Sequence, residues 1–93
     1  MAETKLVKQY VTKNLSGSAT VAKDDVGVVT GDIALSNYTP IGIVRVQKSG
    51  TGASSCSITR FNFNDTTWTV GLYNNGSSSA TCNTTVTVLY ERG

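Results

Sequence analysis

Two short stretches of this chain alternate with a period of two, a pattern that no helix can use. In TTVTVLY (Thr84–Tyr90), Val86, Val88 and Tyr90 interleave with Thr85, Thr87 and Leu89. In TTWTVGLY (Thr66–Tyr73), Trp68, Val70 and Leu72 share one face, which reads as a core face. Successive side chains of a strand point to opposite sides, so each stretch turns an apolar row to a core and a mostly polar row to water. The residue usage agrees. Eleven Val and fourteen Thr stand against two Glu, two Gln and six Ala, a balance that favours extended structure over helix.

At 93 residues the chain is one domain, and folding should bury roughly two thirds of the surface exposed in its unfolded form. With 39% hydrophobic and 15% charged residues, its composition is that of a packed domain, not of a disordered or membrane-spanning chain. The expectation is all-β: a single antiparallel β-sandwich over 1–93, jelly-roll or Ig-like, of about seven to eight short strands. Strands are expected near Lys5–Lys13, Ala19–Lys23, Val26–Thr30, Ile33–Leu35, Ile41–Lys48, Ser57–Phe63, Thr66–Tyr73 and Thr84–Tyr90, with 1–13 as an N-terminal strand or assembly arm. DDVG and VTGD read as reversals, and Asn64-Asp65 as a tight hairpin turn.

Pro40 has no amide hydrogen to give a sheet, so it belongs where a strand begins. Gly42, inside IGIVRV, marks a bulge or a close backbone approach, and could let the strand bend from one sheet into the other. SGTGASS (Ser49–Ser55) and NNGSSSA (Asn74–Ala80) read as exposed loop tips. If the last four strands form a meander, both loops lie at one end. Cys56 and Cys82 then sit near that end about 9–10 Å apart, across two strand spacings. A disulfide needs Cα atoms within roughly 7 Å, which disfavours a bridge unless the two strands lie in facing sheets with converging Cβ vectors.

Much chemistry is missing. The chain has no histidine, which removes the usual general base, the commonest metal ligand and the Ser-His and Cys-His nucleophile pairs. Only Asp24, Asp25 and Asp32 are dense enough to weigh as a carboxylate or calcium site, and beside Gly27 and Gly31 they read as turn formers. The two cysteines are 26 residues apart and match no zinc motif. The expectation is a non-enzymatic protein without metal or cofactor. The eight basic residues are scattered, so neither a nucleic-acid stripe nor a membrane-seeking basic helix forms. MAETKLVKQY reads as a start without a signal peptide, which places synthesis in the cytoplasm and leaves the five sequons unused.

Aromatic side chains are the better clue to recognition. Strict alternation puts Phe61 and Phe63 on one strand face, opposite Ile58, either as a core pair or as an interface; with Tyr10 they are the candidate oligomer contacts. In the loops, Thr51, Ser54, Tyr73, Asn74, Asn75 and Ser77 are the candidate ligand contacts.

From Ser36 to Gly93 the chain resembles the C-terminal β-sandwich domains of tail-fibre, baseplate and head-fibre proteins of tailed bacteriophages. The resemblance is anchored on Tyr38-Thr39-Pro40-Ile41-Gly42-Ile43-Val44 and on Thr85-Val86-Thr87-Val88-Leu89-Tyr90. It implies a virion component that assembles with itself, often as a trimer, and with other virion proteins, and is exposed on the particle. The short chain leaves little room for a stalk, which turns the expectation from a fibre tip towards a capsid decoration protein or tail accessory subunit. A carbohydrate-binding or receptor-binding module that meets a cell-surface glycan is the alternative.

Overall fold

The computed structural model describes residues 9–92, which form six strands and no helix. These are β1 (Tyr10–Val21), β2 (Val26–Asp32), β3 (Tyr38–Ser49), β4 (Cys56–Phe63), β5 (Thr67–Asn74) and β6 (Ala80–Arg92). They build two antiparallel three-stranded sheets, ordered β1-β6-β3 and β2-β5-β4, around one shared core. All-β architecture and sandwich-like layering thus agree with the alternation in the sequence. The strand count is six, below the seven to eight expected.

One merger and one loss account for the difference. The strands expected at Lys5–Lys13 and Ala19–Lys23 are one strand where described, paired with β6 from Tyr10↔Glu91 to Val21↔Ala80; residues 1–8 lie outside the described residues. Asn14–Ser18 has weak strand propensity by itself, but its polar side chains find cross-strand partners on the outer face. Asn14 Oδ1 accepts from Thr87 Oγ1 at 2.7 Å, and the hydroxyls of Ser16 and Thr85 meet at 3.0 Å. The strand expected at Ile33–Leu35 does not form. Ile33 is buried beyond the end of β2, and Leu35 only bridges Tyr38 across a turn in which Asn37 adopts a φ of 67°. Nor does VTGD reverse the chain: Thr30, Gly31 and Asp32 belong to β2.

The expected meander is not what is found. β3 pairs with β6 and β4 with β5, so the chain crosses between sheets after β3 and again after β5. The Asn64-Asp65 turn does join β4 to β5, with Asn64 Oδ1 accepting from the amides of Thr66 at 2.8 Å and Thr67 at 2.9 Å. The register of β3 shifts at Gly42 as expected for a bulge, but β3 stays in one sheet and pairs with β6 as far as Ser49. A second shift between Ile43 and Arg45 leaves Val44, like Ile41, exposed.

The core follows the alternation. Trp68, Val70 and Leu72 of β5 face Val86, Val88 and Tyr90 of β6, all of them buried. Trp68 lies against glycines of β1 and β2: a methyl added at Gly31 would sit 2.8 Å from its Nε1, and one added at Gly17 would sit 3.3 Å from its Cη2. Tyr90 reaches across the layers, its hydroxyl donating to the Ile33 carbonyl at 2.6 Å, and burial pushes its phenol above the ordinary pKa.

One core position is mismatched. Thr84 is buried beside these residues, yet its hydroxyl has no hydrogen-bond partner. Leaving a buried polar group unpaired costs more than replacing it with an apolar group of the same shape. Thr84→Val should therefore stabilise the domain by about 1 kcal/mol, seen as a melting temperature roughly 4–8 °C higher in a thermal scan.

Candidate functional site

Both long loops lie at one end of the molecule, although they cross between sheets. Gly52 N donates to Thr81 O at 3.1 Å and Asn75 N to Ser55 O at 2.9 Å, so the two loops are stitched together and to the start of β6. Between them lies a shallow cleft of about 270 Å³, lined by Thr51, Gly52, Ser55, Ser78 and Thr81 among others. Its lining is hydroxyl and backbone, without a charged side chain or a ring. Such a surface offers hydrogen bonds but no stacking platform.

The candidate ligand contacts scatter around it. Thr51 lines the cleft; Ser54, Asn75 and Ser77 are exposed on the loops outside its lining. Tyr73 is half-buried on the outer face of β2-β5-β4, in register with Val26 and Ser57. Asn74 corrects the sequence reading. It is 0% exposed, and its side chain is consumed internally: Nδ2 donates to Val21 O and to Ser78 O, each at 2.9 Å, while Oδ1 accepts from Gly76 N at 2.8 Å. It holds the loop instead of offering itself to a ligand. Ser55, Ser78 and Thr81 are cleft residues that the sequence reading missed, because serine and threonine tracts do not reveal which hydroxyls converge.

The acidic candidates are separated. Asp24, at a φ of 57°, and Asp25, which accepts from Val26 N at 2.8 Å, form the turn before β2, whereas Asp32 closes its far end. Among the described residues no three His, Cys, Asp or Glu side chains gather as a metal site. No helix among them is long and apolar enough to cross a membrane.

The second surface is apolar. β1 and β2 pack along one side of the molecule, whereas β3 and β4 barely meet on the other. A register shift at Thr59 changes the phase of β4, so the expectation that Phe61 and Phe63 oppose Ile58 does not hold. Ile58, Phe61 and Phe63 stand opposite Leu72, Val70 and Trp68, on the core side of their sheet. Even so, Phe61 remains 51% and Phe63 37% exposed. Across the gap, β3 presents half-buried Ile43 and Val46, in register with Val88 and Val86. Lys48 closes the seam at the loop end alone, its Nζ donating to Cys56 O at 2.6 Å and Ala53 O at 3.0 Å. Tyr10, 53% exposed, opens β1 opposite Glu91 on the outer face of the other sheet, apart from the phenylalanines.

The arrangement can therefore do two things: bury apolar surface along the β3/β4 seam, and hold a polar group at the loop end. No family model, curated protein or solved structure matches the chain.

Proposed function

We propose that this chain is a non-enzymatic structural subunit of a bacteriophage virion, a capsid decoration, head-fibre or tail accessory protein that assembles by covering its β3/β4 seam with a second copy. One observation carries the assembly reading: Phe61 and Phe63 stand in the core register of an edge strand, yet the described residues leave them 51% and 37% exposed. Residues in that register are placed for contact with apolar partners, and among the described residues β4 has no strand on its outer edge, to which another strand can add. A second copy brings the same aromatic edge and the same free backbone, so one surface satisfies both partners. The resemblance of Ser36–Gly93 to phage sandwich domains supports the virion setting, and the hydroxyl-rich loops are suited to face the medium.

Completing the burial of each phenylalanine contributes about 1–1.5 kcal/mol per copy, half the value for a fully exposed ring. The pair thus decides whether copies associate at micromolar concentration. Size-exclusion chromatography with light scattering should give an oligomer for the native chain at tens of micromolar. Phe61→Asp/Phe63→Asp should be monomeric, with an association constant at least 100-fold lower and an unchanged β-type circular dichroism spectrum. A native chain that is monomeric under those conditions removes the assembly reading. Mass spectrometry of purified particles tests the virion setting separately.

The hydroxyl-lined cleft favours a second reading, attachment to a cell-surface glycan through hydrogen bonds. A glycan array without a hit at millimolar sugar excludes it.

A further inference from the structure

The two cysteines do not sit as the meander reading required. Cys56 opens β4 in one sheet and Cys82 lies near the start of β6 in the other, both buried in the common core. Facing sheets ordinarily stand about 10 Å apart, too far for a bridge. At this end they converge. Gly52 N bonds directly to Thr81 O, one residue before Cys82, and Asn74, the register partner of Cys56, donates its side chain to Val21 O in the opposite sheet. The two side chains belong to one buried cluster, in which the Cys82 sulfur donates to the Asn83 carbonyl at 3.6 Å. Burial first, and then the neighbouring Cys82, holds the Cys56 thiol above its ordinary pKa, against the pull of the Lys48 ammonium. Both are free thiols in this structure.

We propose that Cys56 and Cys82 form a redox-reversible staple, closing to an intersheet disulfide when the protein meets a low-molecular-weight disulfide such as oxidised glutathione. One cysteine thiolate attacks the reagent, forming a mixed disulfide and releasing one thiol. The second cysteine attacks that mixed disulfide and releases the other thiol. Two electrons pass from the pair to the reagent, and the two cysteine protons end on the released thiols. Burial makes the thiols inert until the covering loops lift, which requires only a few backbone bonds to break, among them Gly52 N–Thr81 O and Asn75 N–Ser55 O. Once closed, the bridge ties the start of β4 to β6 and encloses residues 57–81, so its effect falls on the loop end and on global stability. Phe61 and Phe63 lie at the other end of β4.

The test uses the purified native chain, equilibrated with oxidised glutathione or with dithiothreitol and then alkylated in denaturant. Oxidation should lower the mass by about 2 Da, block alkylation of both cysteines and yield a Cys56–Cys82 linked peptide. It should raise the melting temperature by roughly 10–20 °C relative to the reduced chain. In Cys56→Ala and in Cys82→Ala that redox dependence should vanish. Alkylation of both cysteines after oxidation, a persistent glutathione adduct, or a bridge only between chains would overturn the staple. Should either variant fail to fold, the native comparison decides the matter.

Discussion

Trp68→Ala should cost about 3–5 kcal/mol of folding free energy, the upper range for truncating a core side chain. The indole is 1% exposed on the middle strand of its sheet, and β1 and β2 meet it at Gly17 and Gly31, where each glycine leaves space for the ring and has no side chain to fill that space once the ring is gone. Cores recover from truncation only as far as adjacent side chains can collapse into the void, and on the two glycine sides there are none to do so. Domains of this kind are stable by only about 5–15 kcal/mol, so one substitution removes a large share of the total. Urea unfolding followed by circular dichroism should show the midpoint fall steeply, with the melting temperature lower by at least roughly 15 °C. A loss under about 1 kcal/mol would mean that the site repacks and that the glycine cradle is incidental.

A substitution at the loop end should be nearly as damaging. Asn74→Ala strands the Val21 and Ser78 carbonyls and the Gly76 amide at once, each of which now bonds to the Asn74 side chain. The backbone of Asn74 also exchanges hydrogen bonds with Asp24 and Asp25, so this one residue gathers the end of β1, the β1–β2 turn and the 75–79 loop. The expected cost is about 2–4 kcal/mol, since groups left unpaired in a buried site lose more than an average hydrogen bond contributes. Hydrogen exchange should localise the damage, with amides of 75–79 losing protection before those of β6. Uniform exchange across both would show that Asn74 does not hold the loop separately.

The parts of the fold legible in the sequence were those governed by local rules. The alternation of β5 and β6 set their inward faces, Asn64-Asp65 set a hairpin, and Gly42 set a bulge. Pairing partners were not legible, because Tyr38↔Arg92 joins residues distant in sequence and alternation says which face is apolar but not which strand lies beside it. The β4 bulge carries no glycine or proline, and that unmarked residue, Thr59, reversed the reading of Phe61 and Phe63. As for the candidate site, Asn74-Asn75-Gly76 looks like a solvent-facing turn by composition. Only tertiary contact separates the asparagine that holds the loop from the one that decorates it.

Because β6 is, among the described residues, the sheet partner of both β1 and β3, one of the two sheets depends on the sixth of its six strands. During synthesis the first and third strands wait as unpaired, hydrogen-bonding edges until Ala80–Arg92 has been added. Folding that depends on such non-local pairings is slow, on the order of milliseconds to seconds for β-rich domains of this size. A ribosome that stalls before Ala80 therefore leaves behind a sticky nascent chain with one of its two layers unmade, a natural substrate for chaperones and proteases.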